Sequence, residues 1–189
     1  MEKNKLNMEK NKLNMEKNKL KIRYERKEDV PLIQELLHKS WVDTYVNEKL
    51  GITKELIDQR FIYDPEVIKK KQEELVEGPG YWVAEIDNVM VGFVLAKKHE
   101  DGSAELRAIY LHPDYIGMGI GAELMKTALD WLKDCNKVLV KCVSYNERAI
   151  SFYKKFGFEN PKEVESYPLN ENVSLPQVVL EKVNNKFKI

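Results

Sequence analysis

Cysteine is nearly missing from this chain: Cys135 and Cys142 are the only two in 189 residues. No disulfide framework can hold such a fold, so a hydrophobic core must. Both read as small buried thiols, one in a strand and one just before it. Histidine is as sparse. His38, His99 and His112 are scattered and share no ligand spacing with the cysteines, which argues against a metal. The longest apolar run, Val89 to Ala96, is far short of the ~20 residues that cross a bilayer, so no membrane partner is expected. The N-terminus has no apolar h-region of the signal-peptide kind, and the chain reads as cytoplasmic.

Net charge is absent too, since 31 Lys and Arg meet 31 Asp and Glu. The balance is uneven, however. The first 21 residues hold seven Lys and three Glu, which leaves a charge of −4 on the remaining 168. A mildly acidic body argues against nucleic acid as partner and tilts towards a cationic substrate.

What is abundant at the start is repetition: MEKNKLN, MEKNKLN, MEKNKLK, three copies of seven residues. A coiled-coil seam needs apolar steps of three and four. Here Met and Leu fall at 1, 6, 8, 13, 15 and 20, in steps of five and two. At 100° per residue, Leu6 lies about 140° from Met1, on another face. Residues 1–21 are therefore read as an extension, disordered or an exposed helix, that does not carry the chemistry. One domain spans 22–183, and 184–189 form a short tail.

Along that domain, Ile22 to Arg26 alternates as a strand, and Glu28 to Tyr45 repeats at helical spacing. Thr53 can cap a helix running to Phe61, and Asp64-Pro65 starts another that ends near Glu77 and Gly78. The period then changes. Tyr81 to Ile86 and Val89 to Lys97 read as strands around the turn Asp87-Asn88, and Ala104 to Leu111 follows Asp101-Gly102. A helix from Gly117 to about Asp134, a strand from Lys137 to Val143 and a helix from Glu147 to Phe156 come next. Strands near Phe158 and from Gln177 to Lys182 close the chain. The class is α/β (mixed α+β), with helices packed on a mixed sheet.

The chemistry concentrates in His112-Pro113-Asp114-Tyr115-Ile116-Gly117-Met118-Gly119-Ile120-Gly121-Ala122, where a strand gives way to a helix. Alternating glycines without β-carbons let backbone N–H groups converge on a ligand at the positive end of a helix, which suits a pyrophosphate. Gly117, Gly119 and Ala122 also match the dinucleotide pattern G-x-G-x-x-A. Against a dinucleotide oxidoreductase stand the long approach through Pro113 and the missing ribose acid after Val143.

Pro113 to Ala122 with Leu124 resembles the acetyl-CoA pyrophosphate loop of the GNAT superfamily of N-acetyltransferases, whose usual form is Gln/Arg-x-x-Gly-x-Gly/Ala. Gly119 and Gly121 fill the glycine positions, and Ile116 stands where Gln or Arg is usual. Asn146-Glu147-Arg148-Ala149-Ile150-Ser151-Phe152-Tyr153-Lys154-Lys155-Phe156-Gly157-Phe158 resembles a second motif of that superfamily, in the right order after the first.

The resemblance implies the GNAT order β-α-α-β-β-β-α-β-α-β-β, a mostly antiparallel central sheet flanked by helices, and transfer of acetyl from acetyl-CoA to an amine. It places main-chain groups of Ile109 and Leu111 against the pantetheine arm. It assigns the pyrophosphate to N–H groups of Met118, Gly119, Ile120, Gly121 and Ala122, and places Asn146 beside the cofactor and Tyr153 as the proton donor to the departing thiolate. Helix capping is the other reading of Asn146, and a core aromatic that of Tyr153. Glu105 is the candidate base, and a solvated strand glutamate its alternative. Trp41, Asp43, Tyr45 and Asp58 are the candidates for a pocket around a cationic amine. The pairs Ser40-Trp41 and Thr44-Tyr45 look similar to those of polyamine acetyltransferases, which favours a polyamine-like acceptor over a peptide. The partners implied are acetyl-CoA and the amine, with room for a homodimer and no place for a metal. A CoA-binding regulatory module without turnover is the competing function.

Overall fold

The structure, a computed structural model, describes residues 19–61 and 64–184. The expected character of residues 1–18 and 185–189 lies outside the described residues. Among those described, seven strands form one sheet in the order β1-β2-β3-β4-β5-β7-β6. They are β1 (Leu20–Tyr24), β2 (Tyr81–Ile86), β3 (Val89–Lys98), β4 (Ser103–Leu111), β5 (Lys137–Val143), β6 (Glu159–Pro168) and β7 (Ser174–Val183). Every neighbouring pair is antiparallel except β4 with β5. The helices are α1 (Val30–Tyr45), α2 (Lys54–Arg60), α3 (Pro65–Glu74), α4 (Ile120–Trp131) and α5 (Glu147–Lys155). None is long and apolar enough to cross a membrane.

Local chemistry explains most boundaries. Thr53 accepts from Leu56 N–H, and Asp64 from the N–H groups of Glu66 and Val67, so both helices start where a cap and a proline were read. Asp87 and Asn88 both have positive φ, the conformation a two-residue hairpin between twisted strands requires.

Four expectations are corrected. Three helices stand between β1 and β2, as the spacing and caps of the sequence read them, one more than the order that the resemblance implies. β1 begins at Leu20, inside the third repeat, and ends at Tyr24 rather than Arg26. Leu20 pairs with Ile86, and beyond Tyr24 the Asp29 carboxylate draws the chain aside by accepting from Arg26 N–H and the Arg23 guanidinium. α4 starts at Ile120 because Gly117 and Gly119 sit at φ 88° and 83°, outside the helical region. The closing strands are longer than expected, and their hairpin turns on Asn170, whose side chain accepts from the N–H groups of Asn172 and Val173.

The two faces of the sheet carry separate cores. Ile120, Leu124, Met125 and Ala128 of α4 pack with Tyr153, Phe158 and inward residues of β2 to β5 on one face. On the other, α1 lays Leu36 against Val83 and Phe93, and Tyr45 joins Ile52, Ile57, Val143 and Leu175. Burying a side chain such as Phe93 or Leu124 contributes about 1.5–3 kcal/mol, so the sheet is fixed from both sides.

Candidate active site

The parallel pair supplies the site. β4 and β5 are paired from Ser103 with Lys137 to Leu106 with Val140, and no further. β5 then keeps its bonds to β7 through Val143, while β4 stays with β3, so the two strands fork. At the fork Leu106 pairs with Ala96 and Ala108 with Leu95, which leaves Arg107 as an inserted residue, a β-bulge that bends β4. The gap opens into a cleft of about 480 Å³ lined from β4, β5, α1, α5 and the glycine turn.

One wall is unpaired strand edge. His112 N–H bonds to Val91 O on β3. Alternation then turns the backbone groups of Ile109 and Leu111 towards the cleft, where no strand of the described residues meets them. Ser40 of α1 donates its hydroxyl to the Leu111 carbonyl at 2.8 Å, leaving the Ile109 groups and the Leu111 N–H open.

The other wall begins at the glycine turn. Gly119 precedes α4, and the N–H groups of Gly119, Ile120 and Gly121 are its first, without acceptors inside the helix. Ala122 is different: it lines the cleft, but its N–H is already bonded to Gly119 O at 3.0 Å. Met118 precedes these amides and turns its side chain to the core, as does Ile120. A Cβ on Gly121 would meet Leu111 Cδ1 at 3.3 Å and Phe152 Cζ at 3.6 Å, so this glycine lets helix and strand approach. Ile116, 36% exposed, lines the cleft without a polar group.

α5 brings the second motif to the same space. Asn146 caps it, with Oδ1 accepting from Ala149 N–H at 3.0 Å, and also lines the cleft. The two readings of this residue are thus compatible, since its amide NH₂ has no protein acceptor among the described residues. Tyr153 lines the cleft at 6% exposure, packed edge-on against Phe152 and Phe158. Its hydroxyl has no protein partner among the described residues. Burial, with Cys142 and Tyr110 nearby, pushes its pKa well up, so at neutral pH it is a phenol with a proton to give. Cys142 lines the cleft too, its thiol pushed up to about 11 by burial and therefore protonated.

The remaining expected residues divide. Tyr45 lines the cleft and shares a 3.0 Å hydrogen bond with the Tyr110 hydroxyl. Trp41 does not line it. Its ring packs edge-on against Tyr45, Phe61 and Tyr167, and its N–H donates to Tyr110 at 3.2 Å. Asp58 is held by His38 and Lys54, away from the cleft, and Asp43 lies 3.7 Å from Arg148. An acidic pocket around Trp41 is not assembled. Glu105 is outside the lining, below the fork, on the sheet face opposite Ala104 and Leu106.

Sequence reading missed Ser40 as a tether, Tyr110 as the hub of the hydroxyl pair, and Arg107 and Lys141 at the fork. Only Gly92 had left a signal, a glycine inside an apolar strand, which marks a close approach of another backbone. Its missing Cβ makes room for the Leu111 side chain and the Tyr110 carbonyl.

The model of the acetyltransferase (GNAT) family matches residues 35–158. The chain belongs to the GNAT family. Among curated GNAT relatives, it is 30% identical over 131 residues to a probable N-acetyltransferase, camello, of Xenopus tropicalis, covering 67% of this chain and 57% of that protein. It is 31% identical over 96 residues to an uncharacterized N-acetyltransferase of Methanocaldococcus jannaschii, covering 47% of this chain and 42% of that protein. The chain thus spans about half the length of these two relatives. Among solved structures, the PaiA N-acetyltransferase of Thermoplasma acidophilum in complex with coenzyme A superposes with a TM-score of 0.61 at 25% identity. That match covers 87% of this chain and 98% of the other. The GNAT fold also settles the ambiguity of the glycine turn. A mostly antiparallel sheet with one parallel junction is not the doubly wound parallel sheet that a dinucleotide oxidoreductase needs.

Proposed function

We propose that this GNAT protein is an N-acetyltransferase that binds acetyl-CoA in the forked cleft and passes the acetyl group to a primary amine by direct attack on the thioester. The observation that carries the reading is buried Tyr153, whose hydroxyl has no partner among the described residues and which lines the same cleft as the free edge of β4 and the first amides of α4. The pantetheine arm lies along Ile109 and Leu111 as an added strand. The pyrophosphate sits on the amides of Met118 to Gly121, and the Asn146 amide holds the arm from the α5 side. With Ile116 in place of Gln or Arg, the backbone carries more of the phosphate contact in this chain.

The acceptor nitrogen attacks the carbonyl carbon, a C–N bond forms and the C–S bond breaks. The sulfur leaves as a thiolate and takes the Tyr153 proton, giving CoA thiol and an amide. An unperturbed alkylamine has a pKa of about 10 and a thiol about 8.5, so one proton must leave the nitrogen while another reaches the sulfur. Glu105, on the α1 side of the sheet below the fork, takes the amine proton through water. The acceptor is the amine of a small molecule or a peptide. The polyamine suggested by the Ser40-Trp41 and Thr44-Tyr45 pairs finds little support, because among the described residues Asp43 is the only carboxylate lining the cleft.

Isothermal titration calorimetry with acetyl-CoA, followed by a free-thiol assay with a panel of amines, tests the proposal. Saturable binding with amine-dependent thiol release is expected. Binding without release from any amine would turn the reading to a regulatory CoA-binding module, and no binding would overturn both.

A further inference from the structure

Arg107 and Lys141 stand side by side at the fork. Leu106 with Val140 is the last rung of the parallel pair, so the next residues on the two strands are these cations, one step past that rung where the strands begin to part. Both are exposed and both line the cleft. Neither makes an ion pair or hydrogen bond among the described residues, although Glu105 stands two residues before Arg107 on the same face. Like charges held on neighbouring strands repel, and no ion pair among the described residues offsets that cost.

The pair belongs to the α1 side of the sheet. Val140 and Cys142 pack towards α4 and α5, which turns Lys141 the other way, to the side where Val143 meets Tyr45. The bulge puts Arg107 on the side of Ala108, which packs under α1. The glycine turn lies elsewhere, beyond Leu111, four strand residues or roughly 13 Å along β4 from Arg107. The other cations of the cleft are accounted for differently: Arg148 is matched by Asp43 at 3.7 Å, and Lys155 is on the last turn of α5.

We propose that Arg107 and Lys141 bind an anionic group of the acceptor, so that the amine acetylated belongs to an amino acid or another small amine with its own carboxylate or phosphate. The inference rests on the acetyl-transfer reading above. Two cations on separate strands hold the anion on the α1 side of the fork, and the attached amine reaches through it to the thioester. A polyamine offers this pair only repulsion.

The test uses the full chain, acetyl-CoA and acceptors matched in all but the anion: L-lysine against cadaverine, free amino acids against their methyl esters, and phosphoethanolamine against ethanolamine. Calorimetry with acetyl-CoA is run beside the thiol assay. In at least one pair the anionic member is expected to have a kcat/KM about tenfold or more above its partner. The pair that responds tells carboxylate from phosphate. Arg107→Glu and Lys141→Glu should each erase that preference while acetyl-CoA affinity holds. Equal rates within every pair, faster turnover of cadaverine, or acetyl-CoA binding with no amine turned over would each overturn the acceptor inference alone. Absence of acetyl-CoA binding would instead remove the acetyl-transfer reading and this inference with it.

Discussion

Ser40 Oγ donates to the Leu111 carbonyl at 2.8 Å, pinning α1 to the strand that walls the cleft. The carbonyl faces a gap left by the missing strand, so the hydroxyl replaces a rung of the sheet. Ser40 is buried, and Ser40→Ala takes the protein partner from the carbonyl of the half-buried Leu111. The expected cost is about 1–3 kcal/mol, or a Tm lower by about 2–4 °C per kcal/mol for a chain of this size. An unchanged melting curve would show that water serves Leu111 equally well.

Tyr153→Phe keeps the ring that packs against Phe152 and Phe158 and removes only the proton that the proposal gives to sulfur. Positioned acid catalysis is worth about 10²–10⁴-fold, so kcat should fall within that range while acetyl-CoA affinity by calorimetry stays within about twofold. A kcat that does not move at saturating substrates would return Tyr153 to the core.

Gly92→Ala drives a methyl group into Leu111 Cδ2 and to 2.9 Å from the Tyr110 carbonyl. The leucine side chain can shift, but a backbone oxygen held in the β3–β4 ladder cannot. Overpacking of this kind costs about 1–3 kcal/mol. Because the displaced residues, Tyr110 and Leu111, belong to the strand whose other edge walls the cleft, acetyl-CoA affinity should fall with stability. Retained affinity in a destabilised variant would separate the two.

Glu25 is 6% exposed beside Asp29, and burial, then the Asp29 charge, push its carboxyl up to about 7. Unfolded, it would titrate near about 4.3. Between those values the folded chain holds a proton that the unfolded chain has lost. The stability this group contributes is therefore full at the acid end and is lost as pH rises through 7. Urea unfolding from pH 5 to 8 should show falling stability, and Glu25→Gln should flatten the slope. An equal slope in the variant would assign it to another group.

Removing residues 1–18 should leave turnover within about twofold, since β1 and the residues that line the cleft stay whole. Removing residues 1–21 should lower the Tm as well, because Leu20 and Lys21 pair with Ile86 and Glu85 and form the first rungs of β1. Loss of turnover on the shorter deletion would give the repeat a part in the site.

The sequence by itself determined what depends on near neighbours. Period two against period 3.6 separated strands from helices. Asp64-Pro65 and Asp87-Asn88 placed a cap and a hairpin turn, because a cap or a type of turn is set within about four residues. The glycine turn and the Asn146 to Phe158 stretch pointed to the family, since a backbone that must approach a ligand tolerates few residue types.

Only the tertiary structure decided how far β4 and β5 stay paired. That choice is a competition among β3, β7 and the aromatic cluster around Tyr110, and none of these lies near both strands in sequence. With the fork came everything that hangs on it. Trp41 went behind the cleft and Tyr45 into it, Ala122 N–H was spent on Gly119, and Glu105 fell below the opening. Arg107 and Lys141, unremarkable surface cations 34 residues apart in the chain, became neighbours because one rung of sheet ends just before them.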